Sequence, residues 1–444
     1  VHNMTDYSYI LRECEQNFIK EIEVQGQNRD VILVEGARQT GKTSMIKHCC
    51  VGRSHVWIDL QKDKSFLKSL DETDSFEEFT DLLLAKKSFS PGQNKILIID
   101  EAQESQNLGG YVRSMKEDWD NQTVVLLGSL MARLFRKGVK FPVGSVRPFK
   151  IYPFTFREFL RAKQEKSLLV KLSQWKAEAP LTAVLHEKML TLFDQYLKTG
   201  GLPDVVSTFV DQRDWQKKLH SIAWGYVEDF KRVEGEENSG LFEHVLKRIA
   251  QTLGSPSKLS TIVQPHQPGY RLLPSILSLL ESWLMVHKVP VETTDLTQGG
   301  RIPPKRYLFD HGIRHIFSPL QSSLYELLKD RQALNFTFFG GVMENAVLNE
   351  LLARGIEKFA CWREKTNGSE VDFLCQTRNG LLPVEVKSSL RTNQKFFSSL
   401  HKVLVATGCE RGVLVSGDRG RVEKIGNKTI EQIPFYAVGC LDFV

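Results

Sequence analysis

Apolar residues at helical spacing between Tyr9 and Glu23 (Ile10, Cys14, Phe18, Ile22) predict an amphipathic helix, and the unbroken run Val31 to Glu35 that follows predicts a buried strand. Similar short runs at Val56 to Leu60, Lys95 to Ile99 and Thr123 to Leu127 are separated by polar stretches, including an acidic helical pattern near Asp74 to Ala85. Continuous apolar strands divided by helices predict a parallel sheet covered on both faces. Pro142, Pro148 and Pro153 then exclude one continuous helix over Phe141 to Leu160. Helical periodicity dominates afterwards, over Phe156 to Leu172, Leu185 to Leu197 and Trp215 to Arg232, with a Gly200-Gly201-Leu202-Pro203 break between the second and third. The acidic stretch Glu234 to Gly240 predicts a linker or mobile loop.

From Leu241 the pattern predicts a helix to Leu253, a short one over Ser257 to Val263 and a third over Tyr270 to Val286. A β-like Val289 to Glu292, a Gly299-Gly300 turn and Lys305 to Phe309 complete the layout of a winged helix. Strands are predicted again near Glu370 to Cys375, Leu382 to Lys387, Gly412 to Ser416 and Pro434 to Val438. The fold class is therefore an α/β multidomain chain, divided at 1–155, 156–240, 241–335 and 336–444. Its 444 residues exceed the roughly 250 to 300 at which a single core stops growing.

Composition changes this picture little. Hydrophobic residues make up 41% and charged residues 25%, which excludes disordered and collagen-like classes. The net charge of +6 permits a nucleic-acid or phosphate partner without requiring one. No apolar run approaches the ~20 residues that span a bilayer, and Val1 to Asp6 carries no basic segment followed by an apolar one, so a cytoplasmic chain without a membrane partner is the expectation. Seven cysteines, with no CxxC pair and no zinc spacing among Cys and His, fit a reducing compartment.

The strongest motif is Gly36-Ala37-Arg38-Gln39-Thr40-Gly41-Lys42-Thr43, a complete GxxxxGK[ST] loop between an apolar strand and a helix. Backbone N–H groups of such a loop form an anion nest for ATP, with Lys42 reaching the β and γ oxygens and Thr43 giving its hydroxyl to Mg²⁺. The strand Ile96 to Ile99 ends in Asp100 and Glu101: Asp100 is the candidate for the Mg²⁺ shell, Glu101 for deprotonating the attacking water. Ser129, after Leu126-Leu127-Gly128, is a candidate for a γ-phosphate or water contact, and a plain strand-end turn is the alternative.

Further along, Glu370-Val371-Asp372-Phe373-Leu374 alternates as a strand, and Pro383-Val384-Glu385-Val386-Lys387 follows. Residues two apart share a face, so Glu385 and Lys387 project together and a hairpin sets Asp372 against them. Residues 241 to 315 carry a local basic excess, and on a winged helix Arg271, Arg301, Lys305 and Arg306 would contact the phosphates of double-stranded DNA. Domain packing with ordinary surface charge is the other reading of this segment.

The phosphate loop, the Asp100-Glu101-Ala102-Gln103 box, the Gly128-Ser129 strand end, Phe141 to Val146 leading into Ile151 to Phe159, and Gly200-Gly201-Leu202-Pro203 together resemble the prokaryotic AAA-like P-loop ATPases that carry a C-terminal domain of unknown function. The resemblance implies an ASCE-type sheet, with the strand ending at Gly128 between the phosphate-loop strand and the Asp100 strand. It also implies a homo-oligomer in which a neighbouring subunit or domain supplies an arginine, for which Arg147, then Arg133 and Arg136, are candidates. The Asp372, Glu385 and Lys387 pattern resembles the PD-(D/E)xK nucleases. That likeness implies Mg²⁺ or Mn²⁺ held by Asp372 and Glu385, with Glu344 as a further ligand and Lys387 acting on water and the scissile phosphate. The expected function is Mg²⁺-dependent ATP hydrolysis coupled to DNA engagement and metal-dependent cleavage. The alternative is a nucleotide-switched scaffold whose nuclease-like fold is catalytically silent.

Overall fold

Five short strands, three of them almost wholly apolar, build the first sheet. The strands β1 (Val31–Glu35), β2 (His55–Asp59), β3 (Ile96–Asp100), β4 (Val124–Leu127) and β5 (Val146–Lys150) are parallel and ordered β2-β3-β4-β1-β5. The computed structural model describes residues 9–24, 29–135, 142–293, 302–318, 336–364 and 369–441. Two units are distinguished, one centred on Leu11–Tyr152 and the other on Pro153–Glu281 and Met285–Val444.

In the first unit Val31, Leu33, Leu97, Ile99, Val124 and Leu126 face one core with α3 (Lys64–Asp71), α4 (Phe76–Lys87) and α5 (Leu108–Glu117). Their neighbours Ile32, Val34, Ile98, Val125 and Leu127 face a second core formed with α1 (Glu15–Glu23) and α2 (Lys42–Cys49). Both faces are covered, as near-continuous apolar strands require. Strand β4 lies between β1 and β3, the order expected of an ASCE sheet. The first helix is shorter than its periodicity predicts and starts only at Glu15, whose carboxylate accepts the Arg12 N–H at 2.6 Å.

The second unit opens with helices. The expected helix Phe156 to Leu172 divides into α6 (Phe156–Ala162) and α7 (Lys166–Ser173), because Gln164 takes a left-handed φ of 57°. Helices α8 (Ala183–Thr199), α9 (Pro203–Val210) and α10 (Trp215–Glu234) follow. The acidic stretch expected as a loop is a 3-10 turn, Glu236–Asn238, that runs directly into α11 (Ser239–Gln251). After α12 (Leu259–Ile262) and α13 (Leu273–Ser282), strand β6 (Val286–Val289) leads to β7 (Val291–Thr293) and β8 (Lys305–Leu308). Pro290 divides what reads as one strand: β6 pairs antiparallel with β8, while β7 lies on the edge of the second sheet beside β9 (Phe359–Arg363). The Gly299-Gly300 turn and Arg301 lie outside the described residues, as does Arg136.

Helices α14 (His311–Phe317) and α15 (Phe336–Ala353) precede that second sheet, which is mixed and ordered β13-β14-β12-β11-β10-β9-β7. It contains β10 (Glu370–Thr377), β11 (Gly380–Val386), β12 (Arg411–Ser416), β13 (Arg421–Ile425) and β14 (Lys428–Pro434), with α16 (Gln394–Thr407) packed over Val371, Leu414 and Ile430. The last predicted strand is displaced: Phe435–Cys440 is a 3-10 helix, and β14 precedes it. Phe435 to Gly439 are all buried, so this run lacks the alternation of a half-exposed strand.

Candidate active site

The contiguous order of strand, loop and helix sets out the phosphate loop. Gly36 passes so close to the next strand end that a Cβ there would lie 2.3 Å from the Ile151 carbonyl, and Gly41 turns into α2 at φ 86°. The Thr40 hydroxyl donates to the Ala37 carbonyl at 2.9 Å and fixes the curl. Lys42 is buried, and its ammonium donates to the carbonyls of Gly36 and Ala37 at 2.8 Å each. Burial pushes the lysine down to about 8, against the opposing pull of Glu101 and Asp100. Arg38 and Gln39 sit at the turn, half-buried and exposed, with Gln39 at a left-handed φ of 65°.

Strand β3 brings the carboxylates to the same end of the sheet. The Thr43 hydroxyl donates to Asp100 Oδ2 at 3.0 Å, joining residues 57 positions apart. Burial, with Glu101 adding to it, pushes Asp100 up to about 6, while the Thr43 hydroxyl and the Glu101 N–H pull the other way. Glu101 occupies the left-handed region at φ 53°, and its Oε2 accepts the Gln103 amide at 2.6 Å. Ser129 lies half-buried just past β4, whose Leu127 pairs with Asp100. These residues fit Mg²⁺: a hydroxyl and a carboxylate oxygen in mutual contact are the hard oxygen donors that the ion takes.

The arginines stand elsewhere. Arg147 pairs in register with Ile32, three residues before the end of β1, and its guanidinium engages Glu21 at 2.6 Å and Asp30 at 3.6 Å. Within its own chain it is held away from the phosphate loop. Arg133 lies half-buried in the 3-10 turn Met131–Arg133. Arg12 has no sequence signature, yet its guanidinium donates to the carbonyls of Thr40 at 2.9 Å and Tyr152 at 2.6 Å, bracing the phosphate loop from 28 residues away.

A second charged cluster forms in the other unit. The β10–β11 hairpin brings Asp372 to β11, where its Oδ2 accepts the Val386 N–H at 2.9 Å, beside an irregularity in the β9–β10 pairing between Val371 and Leu374. Lys387 pairs with Glu385, and Glu344 projects from α15 toward Asp372. Burial, reinforced by Asp372, raises both Glu344 and Glu385. The predicted residues thus converge, but a lysine converges with them. The Lys305 ammonium lies 3.1 Å from Asp372, 3.2 Å from Glu344 and 3.3 Å from Glu370 and is 2% exposed.

This corrects the reading of Lys305 and Arg306 as DNA-phosphate contacts. Both are buried, and Arg306 donates to the Ser257 carbonyl at 3.1 Å. Arg271 is exposed, in the turn before α13 rather than on the helix. The cluster does not fit the divalent metal that the nuclease resemblance implies, because an ammonium stands among the carboxylates that would ligate it. Among the described residues, no group of three or more His, Cys, Asp or Glu is arranged to hold a metal ion.

Comparison with known proteins agrees with the first unit. Residues 28–160 match the family described as "AAA domain". Residues 190–324 and 339–437 match two families described as domains of unknown function, DUF8612 and DUF4143. A Haemophilus influenzae protein described as uncharacterized is 23% identical over 392 residues, covering 85% of this chain and 87% of that protein. Among solved structures, a Walker-type ATPase of Pyrococcus abyssi is 15% identical with a TM-score of 0.45, covering 70% of this chain and 96% of its own. The Thermotoga maritima RuvB Holliday junction branch migration motor is 13% identical with a TM-score of 0.30, covering 63% and 90%. The family match over residues 28–160 and the sheet order agree on an AAA-like P-loop ATPase fold for that part of the chain. Among the described residues no helix is long and apolar enough to cross a membrane.

Proposed function

We infer that this chain binds ATP with Mg²⁺ and hydrolyses it. The observation that carries the reading is the 3.0 Å contact between Thr43 and Asp100, which joins the phosphate loop to the acidic strand end. Backbone N–H groups of residues 36–43 hold the β-phosphate, and Lys42 exchanges its carbonyl partners for phosphate oxygens. Thr43 and Asp100 hold Mg²⁺, which when bound neutralises charge on the phosphate oxygens. Glu101 accepts the proton of the attacking water, with the Gln103 amide fixing its carboxylate. Ser129, just past β4, orients the water or the γ-phosphate in this reading, and Arg147 serves a neighbouring copy in a homo-oligomer. Phosphate release from Mg²⁺-ATP tests the reading: it should fail in Asp100→Asn, while Glu101→Gln should still bind ATP. Release that persists undiminished in both variants would overturn it.

For the second unit, the geometry favours a nucleotide-switched scaffold over a DNA nuclease built on Asp372, Glu385 and Lys387. Burial of Lys305 and Arg306 removes two of the proposed DNA contacts, and the Lys305 ammonium beside Asp372 and Glu344 opposes the metal that cleavage would need. Salt-dependent duplex binding, or nicking of supercoiled DNA in Mg²⁺ or Mn²⁺ that Lys387→Ala abolishes, would reverse that preference.

A further inference from the structure

The second cluster is built around an ammonium, and every carboxylate in it is already engaged. Lys305 has three N–H donors, and three carboxylates surround it within 3.3 Å. Asp372 spends its other oxygen on the Val386 N–H at 2.9 Å, Glu370 receives Arg363 at 2.7 Å, and Glu385 pairs with Lys387. The same oxygen of Glu344 that meets Lys305 also accepts the Tyr307 hydroxyl at 2.6 Å. On the far side Gly254, at φ 73°, lies so near that a Cβ would stand 2.9 and 3.0 Å from the Glu344 oxygens.

Nothing about the lysine is incidental to its strand. Lys305 and Tyr307 lie on one face of β8, and both reach Glu344. The Leu308 N–H donates to the Asn345 side chain at 2.7 Å, while Asn349 donates to the carbonyls of Leu308 and Phe309 at 3.2 and 3.0 Å. Five polar contacts therefore seat the strand on α15. Burial alone would lower Lys305, but Asp372 and Glu344 outweigh it and keep the ammonium charged. A divalent ion needs oxygen ligands at about 2.0 to 2.6 Å, and one oxygen each of Asp372, Glu344 and Glu370 already faces the Lys305 ammonium at 3.1 to 3.3 Å.

We propose that Lys305 is the resident cation of this cluster, standing where the nuclease-like arrangement would place a divalent metal and fastening β8 to the C-terminal sheet. A divalent metal enters only when Lys305 is removed. The proposal does not depend on ATP hydrolysis, and its test uses the nucleotide-free full chain, so the two stand or fall separately. Mn²⁺ binding would be followed by electron paramagnetic resonance in wild type, Lys305→Met and Lys305→Met/Asp372→Asn. Lys305→Met should gain one saturable site at least tenfold tighter than any in wild type, and the double variant should lose it. Absence of that gain in a folded Lys305→Met overturns the proposal. If Lys305→Met does not fold, wild type against Asp372→Asn decides: equal Mn²⁺ binding upholds the proposal, and a wild-type site lost in Asp372→Asn overturns it.

Discussion

Two buried lysines, each near carboxylates, are shifted in opposite directions. Lys42 donates to two backbone carbonyls, and its neighbours Asp100 and Glu101 compensate burial only in part, so its proton is held loosely, at about 8. Lys305 has three carboxylates within 3.3 Å, which outweigh burial and raise it far above the ordinary lysine range. Neutral carbonyls leave a positive charge with unused attraction for an anion, whereas carboxylates consume it. The first arrangement suits a site that receives phosphate, and the second suits a joint that is finished.

The largest effect expected on the open site is loss of its base. Glu101→Gln should lower kcat for ATP by roughly 100- to 10,000-fold while fluorescent-nucleotide binding persists, as general-base catalysis requires. On the closed site the expected effect is structural: Lys305→Met leaves buried carboxylates uncompensated and should cost about 3 to 5 kcal/mol in urea unfolding. A loss under 1 kcal/mol would show that the joint contributes little and would break the contrast.

Smaller effects sharpen it. His311 is a buried base that burial, assisted by the Arg314 charge, pushes down to about 3. The unfolded chain then takes up that proton first, so the contribution is intact above pH 6.5 and is lost as pH falls. Between pH 6.5 and 5, wild type should lose about 1.6 kcal/mol relative to His311→Gln. A difference that does not change with pH would contradict this. Arg147, half-exposed against Glu21 and Asp30, should cost at most ~1 kcal/mol of stability when changed to alanine. A fall in ATP turnover beyond tenfold in Arg147→Ala, narrowing as dilution separates the wild-type copies, would mark an arginine supplied between copies.

The sequence reveals the phosphate loop because strand, loop and helix are contiguous, and periodicity and glycine placement act within a dozen residues. The hairpin carrying Asp372 and Glu385 is legible for the same reason. Arg12 is not, since it acts 28 residues from the loop that it braces. Lys305 reads as a surface charge because its partners Glu344 and Asp372 lie 39 and 67 residues away, and a local count of charges does not distinguish an exposed lysine from a buried one. Strand β13 escapes notice because its alternation is partly exposed, and Phe435 to Cys440 mimics a strand because it is apolar throughout.

The contrast between the two lysines can be measured in one experiment, acylation of the native protein by acetic anhydride with peptide mass spectrometry, with and without Mg²⁺-ATP. Lys42 should acylate and be protected by Mg²⁺-ATP, while Lys305 should stay unmodified until the chain is unfolded. Native Lys305 acylating as fast as exposed lysines, or Lys42 labelling indifferent to Mg²⁺-ATP, would contradict the account.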